Sequence, residues 1–301
     1  MNKKHLLVAI ISLLIAFLLV SCSSKNLPEF DSNLAFEYLK QQCSFGPRNP
    51  GSEGHFLCKE FIIETLKYHD AQVETQEFMG TIRDKNYDFT NIIGSYYPKR
   101  QSRIFLGAHW DTRPWADKDT LAENHDKPII GANDAASGVG LLLAMAKVIK
   151  QNSENLTYGI DLLFFDAEDA GTYGKNSDWC LGSKYFVENY NGIKPEAVII
   201  IDMIGDKNLN IYIEGNSYRN SPRLVTEIWN IANSYDINAF KTKIKYYIYD
   251  DHYPFLEEGY NAIDIIDYDY QYWHTVHDTP DKCSSESLGI IGKVLINYIW
   301  G

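Results

Sequence analysis

The chain has 301 residues, 45% hydrophobic and 14% aromatic, with 28 Lys and Arg against 40 Asp and Glu for a formal charge of −12. That size and apolar content suffice for one large core, and no break in composition argues for two domains. A strongly acidic balance argues against nucleic acid as a partner, because phosphate backbones repel such a surface.

The chain opens on Met1-Asn-Lys3-Lys4-His5, followed by fifteen uncharged, mostly apolar residues at 6–20 and then Ser21-Cys22-Ser-Ser-Lys25. A membrane span needs about 20 apolar residues, and basic residues ahead of a shorter run are the layout of a secretory signal, so export is expected. The tetrapeptide Leu19-Val20-Ser21-Cys22 resembles the lipobox of bacterial lipoproteins, whose Cys becomes the lipidated first residue of the mature chain. An ordinary signal peptide cut nearby is the alternative. Ser23 and Ser24 point to an outer-membrane or periplasmic address. Loss of residues 1–21 would remove two lysines, Lys3 and Lys4, and no acids, moving the charge from −12 to −14. Residues 22–31 then read as a tether and 32–301 as a single domain. Cys43, Cys58, Cys180 and Cys283 contain no C-x-x-C pair, which excludes a zinc knuckle. Buried free thiols, or at most one disulfide, are expected.

Helices are expected over 32–42 and 52–68, the second capped by Ser52 with apolar residues at helical spacing. Strands follow at 72–78, 90–96 and 103–108, the last running into His109-Trp-Asp111. A His at a strand end is either a satisfied structural residue or a metal ligand. The loop 113–130, which carries Trp115, is long enough to cover a site. Asp134 lies among small residues in Gly131-Ala-Asn-Asp-Ala-Ala-Ser-Gly-Val-Gly140, ahead of a helix at 141–150. It could cap that helix or bind a cation, and spacing does not separate the two.

The stretch Leu162-Leu-Phe-Phe-Asp-Ala-Glu-Asp-Ala-Gly171 ends a buried strand at 160–165 in three carboxylates, Asp166, Glu168 and Asp169. Neighbouring carboxylates repel unless a cation or shared proton relieves them, and open α/β sheets bind ligands beyond such strand ends. A solvated acidic turn is the plainer reading. After a loop through Trp179 and a helix at 183–190, the pattern returns in a strand from 197 that ends in Asp202. Two central strands aiming acids at one sheet edge are a site signal. A strand at 209–214, a helix at 222–235 capped by Ser221, the segment Tyr249-Asp-Asp-His-Tyr-Pro-Phe255 before a short helix, a strand at 262–267, the loop with Trp273-His274-Thr, and a helix at 288–300 complete the chain.

Six motifs in order, His109-x-Asp111, Asn133-Asp134, Glu168-Asp169, Asp202-Met-Ile-Gly, Asp251-His252-x-Pro-Phe and Trp273-His274-Thr, resemble the zinc aminopeptidase superfamily, and within it the glutaminyl cyclases. The resemblance covers nearly all of 32–301. It implies an α/β three-layer sandwich, with a twisted, mixed but mostly parallel sheet and the site at the carboxyl ends of central strands. It further implies one zinc held by Asp134, Asp169 and His274 with a position left open for substrate. Asp169 stands where the family usually has Glu, one methylene longer. Glu168 would shuttle protons, Asp202 and Asp251 would lie together and orient the substrate amine and amide, and Trp273, with Trp179 and Trp115, would wall the pocket. For Trp115 and Trp179 ordinary packing is the stronger alternative. The substrates implied are peptides or proteins with N-terminal Gln, closed to pyroglutamate with loss of ammonia.

Two rivals remain. A two-zinc aminopeptidase would add His109 and Asp202 to the same three ligands and use Glu168 on a metal-bridging water. The Asp250-Asp251-His252 triplet and Trp273 favour the cyclase, because aminopeptidases commonly carry Ser before Asp-His and a smaller residue or Tyr before the ligand His. A non-catalytic domain binding peptides or a partner is the third reading, and the full set of ligands and acids argues against it.

Overall fold

The structure, a computed structural model, describes residues 27–301, so the expected export signal, Cys22 and the first half of the tether lie outside the described residues. The elements are α1 (Ser32–Ser44), α2 (Glu53–Tyr68), β1 (Gln72–Ile82), β2 (Lys85–Tyr96), β3 (Arg103–His109), α3 (Ala136–Gln151), β4 (Gly159–Phe165) and α4 (Leu181–Asn189). There follow β5 (Ala197–Asp202), β6 (Ile211–Glu214), α5 (Gly215–Asn220), α6 (Pro222–Ser234), β7 (Phe240–Tyr246), α7 (His252–Glu257), β8 (Ala262–Ile266) and α8 (Ser285–Trp300).

The main sheet has the order β1-β2-β4-β3-β5-β8. Strands β4, β3, β5 and β8 are parallel, and the β1–β2 hairpin joins antiparallel at the β4 edge. Continuous apolar runs make the parallel strands because helices cover both faces. Alternate side chains serve the two faces. Ile104, Leu106, Ala108, Leu162, Phe164, Ile199 and Ile201 pack with α1, α2, α3, α6 and α8. Phe105, Leu163, Phe165, Val198 and Ile200 instead meet Phe186 of α4 and Phe255 of α7. The result is the mixed, mostly parallel three-layer α/β sandwich that the resemblance implied.

The connection after β3 leads to α3 on one face and that after β4 to α4 on the other. The carboxyl ends of β3, β4 and β5 therefore border a crevice between diverging chain segments, where open α/β sheets bind ligands.

Several boundaries differ from the sequence expectation. Helix α3 begins at Ala136 rather than 141, through two glycines of poor helix propensity. Packing overrides propensity there: a Cβ on Gly138 would lie 2.6 Å from the Ile201 carbonyl oxygen and one on Gly140 2.6 Å from that of Ala35. Strands β1 and β2 extend into one hairpin whose turn residues, Arg83 and Asp84, take φ of 45° and 64°. Two successive positive φ values match the twist of a two-residue hairpin. Strand β7, pairing with β6 in a separate two-stranded sheet, was not anticipated. All four described cysteines are free. Among the described residues no helix is long and apolar enough to cross a membrane.

Candidate active site

The strand ends deliver their polar residues to one place. Asp134 precedes α3, Asp169 follows β4, and His274 lies in the loop after β8; one donor atom from each falls within 4.8 Å of the others. His274 Nε2 is 2.9 Å from Asp169 Oδ1 and 3.6 Å from Asp134 Oδ2. All three side chains are buried, and Asp134 Oδ2 and both Asp169 carboxylate oxygens lack a hydrogen-bond partner. Two desolvated carboxylates aimed at one point would cost several kcal/mol without a cation. The donor set, two carboxylates and an imidazole, suits zinc with an open position, and the shorter Asp169 reaches the group.

Outer residues hold these three in place. His274 Nδ1 meets the Tyr173 hydroxyl at 2.9 Å and Asp117 Oδ1 at 3.5 Å. Arg113 Nη1 donates to the Asp169 carbonyl at 2.8 Å, and its other nitrogens grip Asp117. Behind Asp134, the Asp278 carboxylate accepts the Asn133 and Asp134 backbone N–H groups and the Tyr270 hydroxyl. The loop 113–130 was expected to cover a site. Its first residues instead brace the site, with Lys118 N donating to the His274 carbonyl and Asp119 accepting from Val276 N.

His109, the last residue of β3, directs Nε2 to Asp134 Oδ1 and Asp202 Oδ1, each at 3.2 Å, and Nδ1 to Asp111 at 3.5 Å. Burial opposes its protonation, but these three carboxylates outweigh burial and hold the imidazole well above its usual range. Asp111 also accepts the backbone N–H groups of Glu168 and Asp169, which sets the turn after β4. That turn separates its three acids. Asp166 faces inward to His55 at 2.9 Å and the Thr90 N–H at 2.7 Å, a structural role, while Ala167 takes φ 56° and Glu168 and Asp169 face the crevice. Cys180, Met203 and His274 also have φ between 47° and 55°, so four non-glycine residues in the left-handed region lie at the site.

The crevice holds a cavity of about 220 Å³. Asp134, Glu168, Asp169, Asp202, Asp250 and His274 line its acidic part, and Tyr173, Trp179, Tyr249, Tyr268 and Trp273 its aromatic walls. Trp273 lies 4.0 Å from the His274 ring, tilted by 31°, and Trp179 lies parallel to the His274 ring at 6.3 Å. Burial, reinforced by Asp250, Asp169 and Asp251 against the charge of His109, pushes the Glu168 carboxyl well above its ordinary value. Burial likewise lifts Asp202 to about 7, with His109 opposing and Asp134 and Asp250 assisting. So many adjoining carboxyls cannot all ionise cheaply.

Two expectations need correction. Asp251 does not face Asp202 across the cavity: it is fully buried and accepts the Ser183 hydroxyl at 2.5 Å, while the preceding Asp250 lines the cavity. The chain enters α7 at Asp251, and that turn directs adjacent side chains differently. Trp115 does not wall the cavity either. It packs with Ile82, Phe89 and Ala170 under the Arg83 guanidinium, 3.5 Å from its ring. Sequence reasoning missed Asp250 as the inward acid, although the Asp pair was visible, and missed Tyr173, Asp117 and Asp278, for which no motif gave a signal.

The model of peptidase family M28 matches residues 91–299. A glutaminyl cyclase from Bacteroides thetaiotaomicron, solved bound to N-acetylhistamine, is 37% identical with a TM-score of 0.88, covering 92% of this chain and 99% of that one. A structure described as a leucine aminopeptidase precursor from the same organism is 37% identical with a TM-score of 0.89 over the same shares. The glutaminyl-peptide cyclotransferase of Boiga dendrophila is 25% identical over 84% of this chain and 76% of its own length.

Proposed function

The chain belongs to peptidase family M28, and within it we propose that the protein is a zinc-dependent glutaminyl-peptide cyclotransferase, closing the N-terminal Gln of peptides and proteins to pyroglutamate with release of ammonia. The observation that carries this reading is the convergence of three partnerless carboxylate oxygens, on Asp134 and Asp169, toward one ion position beside His274. His109 Nε2 lies 3.2 Å from Oδ1 of both Asp134 and Asp202, which leaves Asp134 Oδ2 and the Asp169 carboxylate as the atoms turned toward that position. One zinc per chain, held by Asp134, Asp169 and His274, is the occupancy this favours.

When bound there, zinc would supply Lewis acidity to the substrate γ-carboxamide oxygen. The remaining work belongs to the chain. Trp273 and Trp179 offer flat faces against which the amide packs, and the small cavity holds the Gln side chain folded back on its own amine. Asp202 and Asp250, both at the cavity wall, accept hydrogen bonds from the α-amine and the carboxamide N–H groups. The α-amine nitrogen attacks the γ-carboxamide carbon, and Glu168 takes the proton that the amine loses. As the carbon–nitrogen bond to the amide nitrogen breaks, Glu168 returns that proton and ammonia leaves. A carboxyl whose basicity burial and neighbouring acids raise is suited to carry a proton both ways near neutral pH.

The test is the product made from Gln-Ala by the zinc-loaded soluble protein. Loss of one ammonia with roughly one zinc per chain supports the cyclase. Release of free Gln and Ala with roughly two zincs would overturn it in favour of the aminopeptidase, whose second ion would use His109 and Asp202. That alternative has one observation on its side, since His109, Asp134 and Asp202 also form a three-donor group. N-acetylhistamine is expected to compete with Gln peptides, as a ligand of the similar Bacteroides cyclase.

The N-terminal pattern supports an exported lipoprotein, anchored through Cys22 in the periplasm, at the outer membrane. Membrane fractionation of the wild-type and Cys22→Ala chains checks this: release of the variant, and only the variant, into the soluble fraction is the expected result.

A further inference from the structure

Glu168 has a second partner that the cyclase chemistry does not use. The Cys180 thiol donates to Glu168 Oε1 at 3.3 Å, and one donor atom each from Cys180, Glu168 and Asp250 lies within 4.8 Å of the others. Donors around a tetrahedral zinc ion, bound at about 2.0–2.3 Å, stand about 3.3–3.8 Å apart, a separation that the Cys180–Glu168 pair already has at 3.3 Å. The group is rigidly placed: Cys180 N donates to the Glu168 carbonyl and Leu181 N to that of Ala167, which clamps the loop 167–180 at its base. Asp250 is 4% exposed, its Oδ1 accepts the Asp251 N–H, and its Oδ2 has no hydrogen-bond partner. A partnerless buried oxygen beside a thiol and a second carboxylate has the donor chemistry of a soft or borderline divalent cation.

Resting on the cyclase reading, we propose that Cys180, Glu168 and Asp250 form a second, inhibitory metal site that captures zinc or cadmium and takes the proton shuttle out of service. Binding forms a sulfur–metal bond and releases the thiol proton to solvent. Both Glu168 oxygens are then denied to the substrate amine, one by the ion and the other by the loss of basicity that a neighbouring dication imposes. The fold guards the thiol against other uses. Burial and the nearby Glu168, Asp251 and Asp250 carboxylates hold it protonated at neutral pH, which disfavours nucleophilic attack and oxidation. The same carboxylates attract a dication, so one arrangement suppresses thiol chemistry and favours metal capture.

The experiment adds Cd2+ to the zinc-loaded protein and follows pyroglutamate formation together with the near-ultraviolet thiolate-to-cadmium absorption. The ligands Asp134, Asp169 and His274 include no sulfur, so exchange at the first site gives no such band. We expect the band to grow in step with the loss of turnover. Cys180→Ser and Cys180→Ala should abolish the band and raise the half-inhibiting concentration, measured against each variant's own uninhibited rate, roughly tenfold or more. Half-inhibition of the wild type without a band, or a band that survives in a folded Cys180 variant, would overturn the proposal. A wild-type chain that shows no band overturns the proposal even if a variant does not fold. That result also decides if the chain proves to lack cyclase activity, because the band needs only the metal. Cadmium that raised turnover without a band would instead indicate an aminopeptidase-type second ion on His109 and Asp202, and would likewise overturn it.

Discussion

Glu168, in the turn after β4, and Asp250, just ahead of α7, face one cavity, and their separate duties can be read from substitutions that keep shape. Glu168→Gln keeps the side chain's size but cannot carry a proton, so turnover of Gln-Ala should fall by roughly 10²–10⁴-fold while zinc content is unchanged. Asp250→Asn should lower turnover at least about tenfold with little change in melting temperature. Asp251→Asn should do the reverse, because Asp251 holds Ser183 beneath the site rather than facing substrate. Rates and melting curves of the two variants separate these roles. A third carboxylate predicts a pH effect on stability. Glu214, buried at the start of α5, accepts Asn216 N and Ser217 N and pairs with His252 Nε2 at 3.2 Å. Burial would raise its pKa, but His252 and the two N–H groups outweigh burial and bring it to about 2 from 4.5. A pKa depressed in the fold stabilises fully above 4.5, and that stabilisation drains away as pH falls toward 2. Glu214→Gln should therefore be less stable than wild type by about 3 kcal/mol at pH 7, with the gap closing in urea titrations as pH falls from 4.5 toward 2.

Elements were legible where a pattern changes abruptly and obscure where a contact decides. The runs that end in Asp166, Glu168, Asp169 and Asp202 could be read as strand ends because a continuous apolar run stops at an acid, and two such stops on parallel strands share an edge. The inward member of Asp250-Asp251 could not be read, since side-chain direction in a turn leaves no periodic trace. Strand β7 was hidden by its exposed lysines, which mimic a loop, and the bracing role of Arg113 and Asp117 exists only through tertiary contacts. The early start of α3 has the same origin. Gly138 sits where β3, β5 and the helix touch, with the Ile201 carbonyl and Ala108 Cβ in the space a methyl group would need. Gly138→Ala should gain helix propensity and still lose about 1–3 kcal/mol, because overpacking a backbone contact outweighs propensity. A lower urea midpoint with unchanged slope would be the expected reading.

At the scale of the molecule, the site ties together segments far apart in the chain: the ends of β3 and β5, the turn after β4, the approach to α3 and the loop after β8. A metal that binds the folded state alone stabilises it by mass action, about 4 kcal/mol when free zinc stands a thousandfold above its dissociation constant. Chelation should therefore lower the melting temperature of the whole domain in one transition, and added zinc should restore it. Cys43, Cys58 and Cys283, free and outside the cavity lining, leave the described domain without disulfide support, so that metal linkage is the larger lever on its stability. The contact between His274 Nε2 and Asp169 Oδ1 adds a chemical detail to that linkage. A protonated imidazole can donate to the carboxylate there, yet the same nitrogen must be bare to hold an ion. Proton and zinc compete for one atom, and loading the site is an ion exchange. Mixing the metal-free protein with zinc in weak buffer should acidify the solution, and acid alone should strip the enzyme of its metal before it unfolds.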